Sequence, residues 1–183
     1  MAKIVLISGS LRRDSVNTAA VATARRLLEQ DSHETGTLTV GELPFYHFDV
    51  EEADSSAAVR EARALVASAD AVVISTPSYN GEAPGVLKNA LDWLSRPYGR
   101  SALSGKTVAL LSASPGPRGG ADAQPALREV LRRSGAALVE HEPVAIGNAV
   151  ELRGQDGEFT DPEVLAVLQS LLKATVVAVA AQA

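Results

Sequence analysis

Three polar stretches, each following an apolar run, carry the residues whose types and spacing suit binding chemistry. The first, GSLRRDSVNT (9–18), sets Ser10, Arg12, Arg13, Ser15, Asn17 and Thr18 at and just inside a helix start. Backbone N–H groups are unpaired at such a start, and the helix dipole adds positive potential. Hydroxyls and an arginine there suit a phosphate. The same residues also read as ordinary capping, with Asp14 or Ser15 as N-cap and the arginines solvated. The second stretch, PSYNGEAP (77–84), leaves a strand at Pro77, turns at Asn80-Gly81 and re-enters a helix at Pro84. It displays Tyr79 and Asn80, more than a tight turn requires. The third, SASPGPRGGAD (112–122), has Ser114, Gly119 and Gly120 among two prolines and three glycines. Its alternatives are a close backbone approach to a ligand or a flexible connector.

The elements that must position these stretches follow from periodicity. Apolar runs at 3–8, 37–43, 70–76, 106–114 and 137–146 read as strands. Helical patterns at 15–30, 55–68, 84–96, 121–135 and 161–180 separate or follow them. Residues 44–54, PFYHFDVEEAD, form a longer loop rich in aromatics and acids. Alternating strands and helices imply an α/β fold with a parallel sheet covered on both faces. Right-handed crossovers favour the flavodoxin-like doubly wound, five-stranded order 2-1-3-4-5. No repeat or composition shift divides the chain, so 1–183 reads as one domain. In such a sheet ligands bind beyond the carboxyl ends of the strands, where the three polar stretches fall.

A single-phosphate loop, a displayed tyrosine with an amide, and bare backbone donors describe a planar heteroaromatic ring with one phosphate. FMN is such a ligand, and it binds this architecture at its switch point. Other chemistries are excluded. There are no cysteines, so no disulfide, thiolate nucleophile or cysteine-held metal. His33, His47 and His141 are scattered without metal-ligand spacing. The net charge of −5 argues against nucleic acid and an anionic membrane surface. The apolar tail ATVVAVAAQA is too short to span a bilayer and reads as the end of a packed helix. G-x-G-x-x-G and G-x-S-x-G are absent, and SGKT (104–107) precedes a strand rather than a helix, so it is no phosphate loop.

The chain resembles the NADPH-dependent FMN reductase family of flavodoxin-like proteins, the group of bacterial chromate, quinone and azo-dye reductases. GSLRRDSVN is similar to its phosphate loop, and PSYNGEAPGVLKNALDWLSRP to its P-E-Y-N-x-x-x-P-G-x-LKNA-x-DW-x-S block. LSGKTVALLSASPGPRGGADAQPALREVL is similar to the strand, glycine loop and helix that follow. The resemblance implies that Ser10, Arg12, Ser15 and Asn17 hold the FMN phosphate. It sets Pro77, Ser78, Tyr79, Asn80 and Gly81 along the ribityl chain and ring, and Ser114, Gly119 and Gly120 at the ring's other edge. Ser78 stands where the family usually has glutamate.

The implied activity is a two-step exchange at a shared site. NADPH or NADH reduces bound FMN and leaves, and a small acceptor replaces it: a quinone, free flavin, azo dye or metal oxyanion. No catalytic side chain is expected, because the cofactor carries the chemistry. Arg13, Arg96, Arg100 and Arg118 are equal candidates for a 2′-phosphate contact. The rivals are a flavodoxin-like electron carrier, which the arginine at Arg12 disfavours, and a non-catalytic flavin-binding sensor. A receiver domain fails, since the tips of strands 1 and 3 lack acids. A cytoplasmic location is expected. Helix 84–96 has an apolar face wide enough to suggest that Trp93 meets another subunit, and the family forms dimers and dimers of dimers. The alternative packs Trp93 under the loop at Tyr98.

Overall fold

The computed structural model describes residues 1–51 and 56–182. The runs KIVLIS, AVVIST and TVALLSA form the central strands β1 (Lys3–Ser8), β3 (Ala71–Thr76) and β4 (Thr107–Ala113). Every residue of β3 and β4 is buried, as a parallel strand covered on both faces demands. The edge strand β2 (Glu34–Leu38) pairs with β1 in parallel. The order is β2-β1-β3-β4-β5, with the short β5 (Ala137–Leu138) and β6 (Val144–Ile146) both pairing with β4. This is the expected flavodoxin-like order.

The period-two alternation of side chains divides the core between two faces. Ile4, Leu6, Val73 and Leu111 pack under α1 (Val16–Gln30) and α5 (Pro162–Ala180). Val5, Ile7, Val72 and Ile74 pack under α2 (Ala57–Ala67), α3 (Gly85–Leu94) and α4 (Gln124–Arg133). The tail belongs to the 19-residue α5, which by length and composition alone could cross a membrane. Here it lays Val164, Leu168, Leu171, Leu172 and Thr175 into the core.

Two strands depart from the sequence expectation. The second runs at 34–38 rather than 37–43, because its register is set by β1, from Lys3 opposite Glu34 to Ile7 opposite Leu38. The chain then tightens into a 3-10 turn at Val40–Glu42. The fifth strand is not continuous over 137–146. Between its halves lie Val139, Glu140, His141, Glu142 and Pro143. Val139 N still donates to Val108 O (2.9 Å), but the proline has no N–H to give the ladder, and the His141 ring bonds to Glu142 O and Ser170 Oγ. The expected start of helix 2 at residue 55 and the end of the 44–54 loop lie outside the described residues.

The described part of that loop is a strap over α3. Asn89 Oδ1 accepts from Tyr46 N (2.7 Å), and Asn89 Nδ2 donates to Pro44 O (2.9 Å). Trp93 Nε1 donates to the same carbonyl (2.7 Å). Tyr46 meets the indole edge-on, ring centroids 5.0 Å apart, and the Arg63 guanidinium lies 5.5 Å from the indole centroid. Trp93 is therefore 1% exposed within its own chain, and the expectation that it meets another subunit is corrected. The strap, rather than a partner, covers Trp93 on α3. Its ring partner is Tyr46; Tyr98 stands in solvent.

The strap carries a titratable lock. Tyr46 Oη donates to Glu51 Oε2 (2.6 Å); this bond first, and burial second, push the phenol above its ordinary value. A raised pKa means the folded state holds the proton more tightly than the unfolded chain does. The lock's stability is thus fully present below the ordinary tyrosine range and is lost as pH rises through the raised value. Urea midpoints measured from about pH 8.5 to 11 should fall more steeply in the wild type than in Tyr46→Phe. Parallel slopes would refute the lock.

Candidate functional site

The registers bring the carboxyl ends of the central strands level, with Ser8 opposite Ser75 and Thr76 opposite Ser112. Beyond them lies a cleft of ≈160 Å³. It is lined by Ser10, Arg12, Ser15, Val16, Asn17, Pro77, Ser78, Tyr79, Ala113, Ser114 and Pro115. All three polar stretches thus reach one site, although they are drawn from 9–18, 77–84 and 112–122 of the chain.

The first wall is the β1–α1 loop. Gly9 N donates to Ser75 O (2.8 Å), fastening the loop to the tip of β3. A Cβ on Gly9 would stand 3.0 Å from Leu87 Cδ2, so a larger residue would press on α3. Ser8 Oγ accepts from Ser10 N (3.3 Å), and Ser10 Oγ accepts from Arg12 N (3.3 Å), winding the loop inward. Ser15 is the N-cap of α1, its Oγ accepting from Asn17 N (3.1 Å). Other first-turn N–H groups have no acceptor within the helix and remain available to a ligand. Arg12 Nη2 donates to Asp14 O (2.7 Å), which holds the guanidinium over the helix start.

Asn17 has a second duty. It is 1% exposed, and its side chain bridges two strands. Nδ2 donates to Ala113 O (2.9 Å), while Oδ1 accepts from Ala113 N (3.1 Å) and Ser75 Oγ (2.9 Å). Asn17 thereby clamps the tips of β3 and β4 to the start of α1.

The second wall turns back on itself. Tyr79 N donates to Glu82 O (2.9 Å) and Glu82 N to Tyr79 O (3.2 Å). Asn80 and Gly81 occupy the turn with φ of 55° and 88°, the left-handed region that asparagine and glycine tolerate. Tyr79 is half exposed at the rim, and Asn80 and Gly81 form the tip beyond the lining. The third wall is set by backbone proximity. Ser114 N donates to Ile146 O (3.0 Å). Gly119, with φ 59°, passes so near β6 that a Cβ would lie 2.6 Å from the Ala145 carbonyl carbon. Gly120 packs beside Ser78 and Ser112, behind the lining. Gln124 ties the wall down, its Nε2 donating to Ser112 Oγ and Val144 O, both at 2.8 Å.

This site offers a helix N-terminus, hydroxyls and a guanidinium at one end, and an aromatic ring with backbone loops at the other. At ≈160 Å³ it is smaller than the roughly 300–1,000 Å³ of pockets that enclose a whole ligand. It fits a phosphate and the chain leading to it, with a larger ring on the open rim. A roomier groove of ≈330 Å³ lies between α1 and α5, lined by Leu27, Leu28, His33 and Lys173. It sits at the amino ends of the strands, where His33 Nδ1 accepts from Ala2 N, away from the three polar loops. Among the described residues no cluster of His, Asp or Glu could hold a metal.

A model of the family described as NADPH-dependent FMN reductase matches residues 2–151. The chain belongs to that family. A quinone reductase of Pseudomonas putida is 38% identical over 158 residues, covering 86% of this chain and 84% of the relative. A 2-hydroxy-1,4-benzoquinone reductase of a Burkholderia species is 35% identical, covering 93% of this chain and 92% of its own. Among solved structures, FerB, a flavoenzyme NAD(P)H:acceptor oxidoreductase from Paracoccus denitrificans, superposes with a TM-score of 0.90 at 34% identity. That match covers 98% of this chain and 97% of FerB.

Sequence reasoning missed two residues. Gln124 gives no local signal, being one amide in a helix start. Arg153 is brought beside the β1–α1 loop by the hairpin at 153–159, where its Nη1 donates to Asp14 O (3.4 Å). No motif at 153 points there.

Proposed function

We propose that this protein is an FMN-dependent NAD(P)H oxidoreductase that passes electrons to small acceptors, quinones foremost, with free flavin, azo dyes and metal oxyanions as further acceptors. The observation that carries the reading is the meeting of Arg12, the Ser15-capped helix start, Tyr79 and Ser114 around one cleft at the β1/β3 tips. Bound FMN supplies the hydride acceptor and donor of this chemistry. The chain supplies binding and orientation. Ser10, Arg12, Ser15, Asn17 and the helix start hold the phosphate, and Asn17 also fixes the strand tips that frame it. Pro77, Ser78, Tyr79, Asn80 and Gly81 flank the ribityl chain and one edge of the ring. Ser114, Gly119 and Gly120 bound the other edge, the two glycines by letting the backbone approach. No side chain moves a proton in this scheme, and Ser78 leaves uncharged a position that the family usually fills with a carboxylate.

The reading extends to 1–183 as one domain, to the cytoplasm, where NAD(P)H is found, and to a homodimer or homotetramer formed across helix 84–96. With Trp93 covered, Phe45 and Phe48 on the strap stay exposed, at 88% and 73%, as does Tyr98 just past the helix. They support association of copies through the strap and α3. Light scattering should give a multiple of 19.0 kDa.

The decisive experiment is a visible spectrum of the purified protein. A yellow flavin band, restored by FMN if lost, should bleach on adding NADPH without air and return on adding a quinone. Steady-state initial rates should give parallel double-reciprocal lines. A protein that stays colourless after incubation with FMN and desalting would overturn the reading.

A further inference from the structure

Arg12 and Arg153 reach the same acceptor from opposite ends of the chain, and that acceptor is neutral. Both guanidinium groups donate to the carbonyl of Asp14, Arg12 Nη2 at 2.7 Å and Arg153 Nη1 at 3.4 Å. Their two donating nitrogens therefore lie at most about 6 Å apart, inside one Debye length at physiological salt. Among the described residues neither arginine forms an ion pair. Two like charges are thus held together in a chain whose net charge is −5.

The position of Arg153 is enforced. Phe159, across the hairpin from it, is fully buried, and its N–H donates to Thr23 Oγ1 on α1 (2.9 Å). Glu158 pairs with Arg26 on the same helix (2.6 Å). Asp156 Oδ1 accepts from Glu158 N (3.1 Å). The hairpin's acids are therefore engaged elsewhere while its arginine is aimed at the residue before the N-cap. Both guanidinium groups thus meet one carbonyl just before the N-cap of α1, whose helix start is itself the positive end of a dipole.

We propose that Arg153 completes, with Arg12, a phosphomonoester seat at the mouth of the β1–α1 loop. A dianionic tetrahedral group offers enough oxygens to engage two guanidinium forks and a helix start together. A neutral or single-acceptor ligand does not. In this protein two compounds bring such a group: the phosphate of FMN and the 2′-phosphate of NADPH. The choice of these two rests on the flavin-reductase reading; the seat itself does not.

The test compares the full-length protein with Arg153→Gln and Arg153→Lys. Apoprotein melting is followed in inorganic phosphate, affinity is measured for FMN against riboflavin, and KM for NADPH against NADH. Inorganic phosphate should raise the wild-type melting temperature more than that of Arg153→Gln. Arg153→Gln should weaken FMN binding about tenfold, the scale of one charge-assisted contact, and leave riboflavin binding unchanged. Arg153→Lys should fall between. If the KM for NADPH rises while FMN affinity and the NADH KM hold, the seat takes the 2′-phosphate of NADPH instead. Equal losses for FMN and riboflavin would mean that Arg153 only braces the hairpin, and would overturn the proposal. So would equal phosphate protection of wild type and Arg153→Gln. A wild type that binds no flavin defeats the reductase reading separately, and the phosphate arm still decides the seat.

Discussion

Asn17→Ala should destabilise the protein by about 3 kcal/mol and weaken FMN binding with it. The substitution strips partners from the Ala113 N–H and C=O and from the Ser75 hydroxyl, all in the buried core. Each buried polar group left unpaired costs about 1–3 kcal/mol, and the hydroxyl can turn to another acceptor. The loss should appear as a lower urea midpoint at unchanged slope. Asn17→Asp separates clamp from volume. An ionised aspartate accepts from Ala113 N and Ser75 but faces the Ala113 carbonyl with no donor. Burial raises a carboxyl's pKa, so the neutral form is favoured in the folded state. The stability of Asn17→Asp should therefore be highest in acid, where its protonated oxygen can donate to Ala113 O, and fall as pH rises through the raised pKa. A pH-independent deficit equal to that of the alanine variant would show that the clamp is not what holds the strand tips.

Trp93→Ala should cost about 4 kcal/mol, in the range for emptying a fully buried indole site. It removes the edge-on contact with Tyr46, the Arg63 contact and the Pro44 bond at once, so the strap should come loose. Proteolysis within 44–51 should then accelerate, and the alkaline transition of the Tyr46–Glu51 lock should vanish. Trp93→Phe keeps a ring but loses the N–H donor. Pro44 O still accepts from Asn89, so it is not orphaned, and the cost should be only about 1 kcal/mol. Because Trp93 is covered by its own chain, Trp93→Phe should leave the oligomeric state unchanged. A phenylalanine variant that dissociates would restore an intersubunit role for this position.

The readability of the site follows the range of its interactions. The β1–α1 loop and the bend at Pro77–Pro84 were legible because the chemistry of each is contiguous: cap and arginine share the stretch 9–18, and turn dipeptide and prolines share 77–84. The apolar runs of β1, β3 and β4 were equally legible, since strands buried on both faces have no polar side to show. Where pairing with another strand sets the bounds, reading failed. Lys3 opposite Glu34 moved β2 forward, and Pro143 broke a run that composition alone made continuous. Trp93 misled for a related reason, because a wide apolar stripe says only that something covers it, not whether the cover is a partner or a strap.

The sequence by itself determined the alternation of strand and helix, the polar loops at the strand tips and the membership of the FMN reductase family, all carried by neighbouring residues. Tertiary structure decided that Asn17 clasps Ala113 across 96 positions, that Arg153 stands beside Asp14 across 139, and that Tyr46 closes over Trp93. Those pairings arise only when packing of the two sheet faces fixes where distant backbone atoms meet, and no local pattern encodes such a distance.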